Sequence, residues 1–200
     1  MFRLFALVSL VVLVGCETFS PYEPGVEVSN ADGNVAVGEF TYAPYERGDW
    51  RYDRGPFSST ASVGPDDLQS TNAGSKIRLE VPVSEFVAEA VEKELHHVGY
   101  TVDPDAATRI VGVVERIHRT MIHKDKRIGV KVIDWTAVIG YTVVKDGETV
   151  FTTTVHSMLE LPVEFPKSFI GFIDMTLGLN IVMRDSLQEF IEQARAAKVL

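Results

Sequence analysis

Cysteine is almost absent from these 200 residues: Cys16 is the only one. No intramolecular disulfide can form, so the core must hold by apolar burial alone. Positive charge is also scarce, with 19 Lys and Arg against 28 Asp and Glu and a formal net charge of −9. A chain this acidic is repelled by phosphate backbones, which excludes nucleic acid as an expected partner. No apolar run reaches the ~20 residues that a helix needs to cross a bilayer. Missing too are a glycine-rich phosphate loop, a nucleophile elbow, paired cysteine ligands and a His-Glu-x-x-His string. The sequence therefore nominates no catalytic residue, no metal ligand and no cofactor, and the expectation is a protein that is not an enzyme.

What is present begins with the cysteine itself. An apolar run from Leu4 to Val14 follows Met1, Phe2 and Arg3 and ends in Leu13-Val14-Gly15-Cys16. A short positive head, an apolar stretch too short to span and a small residue before a lone cysteine have the layout of a bacterial lipoprotein signal. Cleavage before Cys16 leaves residues 1–15 as a signal peptide. Acylation of Cys16, with palmitate among the chains, supplies a membrane anchor, since two or more acyl chains hold where one is marginal. Loss of Arg3 takes the net charge to −10. Residue 17 is Glu and not the Asp that retains lipoproteins in the inner membrane, which points to the outer membrane, periplasmic face.

Residues 16–34 hold two prolines and two glycines without an apolar period, and read as a tether with a coil span of about 25 Å. Residues 35–200 read as one periplasmic domain. Val35 to Tyr42 is a candidate strand; residues 43–75, rich in Gly, Pro, Ser and Thr, read as one long loop. Ile77, Leu79 and Val81 alternate as in a half-buried strand. From Ser84, a candidate cap, to Val98, a helix is expected with Val87, Val91, Leu95 and Val98 on its apolar face and Gly99 as its stop. Three long β-prone runs follow, Arg109–Ile122, Ile128–Val144 and Thr149–Leu159, the last two joined by an Asp146-Gly147 hairpin signal. A connector bracketed by Pro162 and Pro166 leads to a closing helix over 168–197. The order predicts an α+β fold: a mixed, mainly antiparallel sheet with a three-strand meander and two helices packed on one face.

Candidate site residues are few. Tyr45 to Phe57 concentrates aromatics and arginines, and Trp50, Arg51, Tyr52 and Arg54 are the types that dominate protein-binding hot spots. They make this stretch the candidate partner-binding segment, the alternative being aromatics folded back onto their own domain. Phe169 to Met183 is apolar nearly all round, the composition of either a core or an interface. His118 and His123 are an odd number apart and should face opposite sides of a strand. His96 and His97 end a helix, where they favour its dipole, and His156 is isolated. Asp134 and Asp174 stand among apolar neighbours, with a strand edge expected for the first and a helix surface for the second.

From Leu79 onward the chain resembles the YajG-type outer-membrane lipoproteins of Gram-negative bacteria. The resemblance rests on the string ending at Cys16, the segment from Phe86 to Leu95 leading to His97-Val98-Gly99-Tyr100, the paired long strands, and Asp185 to Ile191. It implies a periplasmic α/β domain held at the outer membrane, similar in outline to penicillin-binding-protein activator lipoproteins, and carries no catalytic motif. Three functions follow as expectations. The first is a non-enzymatic lipoprotein that binds an envelope protein in assembly or maintenance; a homo-oligomer is compatible with it. The second is an activator of peptidoglycan synthesis, and the third a small envelope hydrolase or ligand-binding domain.

Overall fold

The structure is a computed structural model, and it describes residues 22–25, 31–51, 61–70, 77–125, 130–163 and 170–200. The elements run β1 (Asn34–Tyr42), α1 (Ala43–Glu46), β2 (Trp50–Arg51), β3 (Ala61–Ser62), β4 (Asp67–Ser70), β5 (Ile77–Arg78), α2 (Val83–His97), β6 (Thr101–Val102), β7 (Thr108–Asp125), β8 (Val130–Lys145), β9 (Glu148–Val163) and α3 (Ile170–Ala196). The fold is α+β, as expected. Its spine is the antiparallel meander β7–β8–β9. Along the other side of β7, β1 pairs in parallel with residues 109–114 and β4 with 118–119, so the two lie end to end. β6 extends the sheet beyond β1, and β5 beyond β4.

Alternation decides which face is covered. On β8 the side chains of Ile133, Trp135, Ala137, Ile139, Tyr141 and Val143 are buried, while their even-numbered neighbours from Asp134 to Val144 are half-buried. β7 begins on the even phase with Ile110 and Val114 inward, then continues on the odd phase with Ile117. The register shift between Val114 and Arg116 explains the change, because one extra residue in a strand flips every side chain beyond it. α2 and α3 cover this inner face. Phe190 of α3 stacks on Tyr141 with ring centroids 4.3 Å apart, and Ser186 lies 3.0 Å from the Tyr141 hydroxyl. Gly178 lets the Trp135 indole lie directly against the helix where any Cβ would collide with it.

Both ends of α2 have a local cause. Ser84 does not cap: the N-cap is Pro82. The Val83 N–H is instead satisfied by the carbonyl of Pro65 at 2.8 Å, so no hydroxyl is required there. At the far end Gly99, at φ +101°, closes a Schellman motif, with Gly99 N–H donating to His96 O and Tyr100 N–H to Leu95 O. Asp146 and Gly147 take φ of 51° and 84°, the signs a type I′ hairpin turn demands.

Three further sequence expectations change within residues 43–163. Residues 43–75 are not one loop: α1, β2, β3 and β4 lie within them. Their residues give no apolar period because the two strands of β2 and β3 are two residues long and β4 only four. Asp134 is not at a strand edge, since β8 is paired on both sides. Pro162 belongs to β9 and not to a connector; as β9 is paired, among the described residues, with β8 alone, its missing N–H is tolerated.

Candidate functional site

The segment with the hot-spot residues is held at the point where β1 hands over to β4 along β7. α1 turns the chain after Tyr42, and Gly48, at φ +64°, lets Asp49 N–H return to Pro44 O at 2.9 Å. The Arg47 guanidinium donates to Asp49 at 2.9 Å and to Glu115, the bulge residue of β7, at 3.0 Å. These two exposed ion pairs push the Arg47 pKa up, though at such exposure they contribute little to stability. β2 then pairs with β3, Trp50 opposite Ser62 and Arg51 opposite Ala61.

Below this hairpin base lies a buried acid. Asp67 accepts from Gly64 N–H at 3.0 Å and pairs with Arg78 at 3.4 Å, while Asp66 pairs with Arg78 at 2.8 Å. The buried Tyr42 hydroxyl donates to the Asp67 carbonyl at 3.0 Å. Burial first, and then the Asp67 and Asp49 charges, push the Tyr42 phenol pKa well up. The chain flanking β2 and β3 is thus fixed through several charge-assisted bonds.

Of the nominated residues, the backbones of Trp50 and Arg51 are placed in β2, and Tyr52 and Arg54 lie outside the described residues, as does Cys16. The side chains of His123, Phe172 and Asp174 lie outside them also. His118 is half-buried beside Thr120, whose hydroxyl is 3.1 Å from Nδ1, and desolvation followed by the Arg116 charge lowers its pKa. His156 is exposed on the face of β9 away from the helices. Among the described residues no three His, Cys, Asp or Glu side chains come together to hold a metal ion. No described helix is long and apolar enough to cross a membrane.

A second cluster was not anticipated. Tyr22, inside the supposed tether, is 2% exposed and donates its hydroxyl to Glu94 Oε2 at 2.6 Å; Glu94 itself is 0% exposed. Burial and the Glu94 contact push the Tyr22 phenol pKa up. Lys93 donates to the Tyr22 carbonyl at 3.4 Å, Glu23 N–H to Asn180 Oδ1 at 3.3 Å, and Arg184 to the Glu23 carbonyl at 3.2 Å. Tyr22–Gly25 therefore bridges α2 and α3 and is no free tether. The signal was in the sequence: Glu94 falls at i+7 from Val87 and i+3 from Val91, a charge on the apolar face of its helix.

With this geometry in hand, comparison with known proteins gives a likeness of fold. No protein-family model and no curated protein matches the chain. Among solved structures, a Xanthomonas campestris protein of the DUF330 family superposes with a TM-score of 0.55 at 9% identity, over 90% of this chain and 95% of that one. A minor lipoprotein from Acinetobacter baumannii gives a TM-score of 0.36 at 14% identity, over 68% of this chain and 95% of that one. The first establishes a shared architecture at an identity too low to carry function.

One more surface has the exposure to bind. Neither α2 nor α3 covers the outer face of the meander, where Thr152, Thr154, His156, Met158 and Glu160 of β9 are exposed. Met158, at 69% exposure, Val150 and Val113 are the large apolar groups exposed on the described strands of the meander.

Proposed function

We propose that this chain is a lipoprotein of the YajG type, acylated at Cys16 and anchored at the periplasmic face of the outer membrane, whose domain binds an envelope protein without catalysing a reaction. The observation that carries the anchor is Leu13-Val14-Gly15-Cys16 after a short apolar run, in a chain with no other cysteine. What supports the binding role is the hot-spot composition of Trp50, Arg51, Tyr52 and Arg54, together with the pairing of β2 with β3 and the Arg47 ion pairs with Asp49 and Glu115 that brace the chain before them. Activation of peptidoglycan synthesis is the weaker reading, because docking of Tyr22–Gly25 shortens a tether that already had little reach.

Cys16→Ser should abolish lipid labelling and release the protein from the outer-membrane fraction; unchanged labelling and fractionation would refute the anchor. Trp50→Ala combined with Arg51→Ala should leave stability within about 1 kcal/mol while removing crosslinks to the envelope partner, since hot-spot truncation acts on binding. A double variant that unfolds, or one that keeps every crosslink, removes the hairpin from recognition.

A further inference from the structure

Two lengths of chain compete to define how the domain hangs from its anchor. Cys16 and Tyr22 are six residues apart, so at ~3.3–3.6 Å per residue their separation cannot exceed about 20 Å. The next contact along the described chain is at Ala31, whose N–H donates to the Val98 carbonyl at 2.9 Å. Fifteen residues after Cys16, Ala31 would allow about 50 Å. A domain of this size is roughly 40 Å across, taking twice the radius of gyration with a margin for its surface. A 50 Å lead lets any side of such a domain approach the membrane, whereas a 20 Å lead does not. The outcome therefore depends on whether the chain is held at Tyr22.

The hold at Tyr22 is a built one. The ring is buried, its hydroxyl meets a carboxylate that has no exposure of its own, and polar contacts from Lys93, Asn180 and Arg184 grip the backbone of Tyr22 and Glu23 from two helices. Gly25 passes so near that a Cβ there would stand 3.1 Å from the Arg184 side chain. We infer that Tyr22–Gly25 is a strap that fixes the domain's orientation at the lipid surface, keeping the α2–α3 layer toward the membrane and the outer face of the β7–β8–β9 meander toward the periplasm. The inference rests on the Cys16 anchor, and it assigns to a segment that looks like linker the task of choosing which face a partner can reach.

The strap makes position within the linker matter. Inserting twelve Gly and Ser residues between Phe19 and Ser20 lengthens the lead before the strap; the same insertion between Val28 and Ser29 lies behind it. The full-length lipidated protein, in phosphatidylethanolamine–phosphatidylglycerol vesicles carrying a headgroup-labelled acceptor, is given a donor dye at Glu92→Cys on α2 or at Thr154→Cys on β9, both exposed positions. Acylated Cys16 has no free thiol to compete for the dye. Energy transfer should be several-fold greater from residue 92 than from residue 154. The early insertion should collapse that ratio toward unity, and the late insertion should leave it unchanged. Equal transfer from the two positions, or two insertions with the same effect, overturns the strap. Flotation with the vesicles and intact mass are read on the same samples. A protein that floats but shows no orientation refutes the strap alone; one that carries no lipid refutes the anchor and the strap with it.

Discussion

Leu95 is wholly buried on the sheet side of α2, next to a residue of opposite character, Glu94, which is equally buried. Helical geometry brings both inward, because a two-layer fold gives α2 the sheet below and the strap and α3 beside it. Leu95→Ala should destabilise the domain by about 2 to 5 kcal/mol, the transfer cost of the lost methyl and methylene groups plus that of a partly collapsed cavity. Chemical denaturation of the soluble domain beginning after Cys16 measures it. A loss below about 0.5 kcal/mol, the range of surface changes, would contradict the helix face. Glu94 is held differently: the Tyr22 hydroxyl donates a short hydrogen bond to its Oε2 in place of water, while among the described residues its Oε1 has no hydrogen-bond partner.

At the scale of elements, the two long helices end by the same device with different residues. α2 uses Gly99 at φ +101°, and α3 uses Lys198 at φ +59°, with Lys198 N–H donating to Arg195 O and Val199 N–H to Ala194 O. A left-handed lysine bears a steric cost that glycine avoids, roughly 1–2 kcal/mol before glycine's greater unfolded-state entropy is subtracted. Lys198→Gly should therefore stabilise the domain by about 0.5 to 1 kcal/mol, seen as a higher denaturation midpoint with unchanged slope. No change or a loss would mean that the lysine stem contributes packing that outweighs the strain. The first helix stop was legible because glycine announces it, and the second was not because lysine does not. The same contrast runs through the sheet. The meander and the Asp146-Gly147 turn could be read from long β-prone runs and turn chemistry, which are local. β2, β3 and β4 could not, since strands of two to four residues exist only through their pairing partners. Ser84 looked like a cap because the sequence does not reveal that the Pro65 carbonyl takes that place. Of the candidate site, the hairpin's composition was legible, while its bracing through Arg47, Glu115 and Asp67 depends on a bulge and on chain crossings that no local pattern encodes.

At the scale of the whole molecule, burial favours the neutral form of one histidine and three tyrosines, and this gives stability a pH dependence at both ends. On the acid side His118 has a lowered pKa, so the unfolded chain binds a proton that the folded one resists. Stability from this group is present above the unfolded value near 6.5 and is lost as pH falls below it. On the alkaline side Tyr22, Tyr42 and Tyr141 all have raised pKa values, with burial the first cause in each. Their stabilisation is fully present below the unfolded phenol value near 10 and is lost as pH rises through the folded values. Above pH 10 the unfolded chain has released these three protons while the folded chain keeps them, so unfolding free energy should fall by about 1.4 kcal/mol per pH unit for each phenol, about 4 kcal/mol per unit for the three. Tyr141 is the cleanest to remove, since it is wholly buried and its ring stacks on Phe190, a contact that phenylalanine retains. Tyr141→Phe should lose its bond with Ser186, a net cost of about 1 kcal/mol at neutral pH, yet reduce the alkaline slope by about 1.4 kcal/mol per pH unit. Denaturation curves between pH 9.5 and 11.5 (roughly the window in which free phenols ionise), with tyrosinate absorbance followed alongside circular dichroism, provide the measurement. An unchanged slope in the variant, or tyrosinate from Tyr141 appearing before the fold is lost, would show that the phenol at the centre of the sheet–helix interface is not held protonated by its burial.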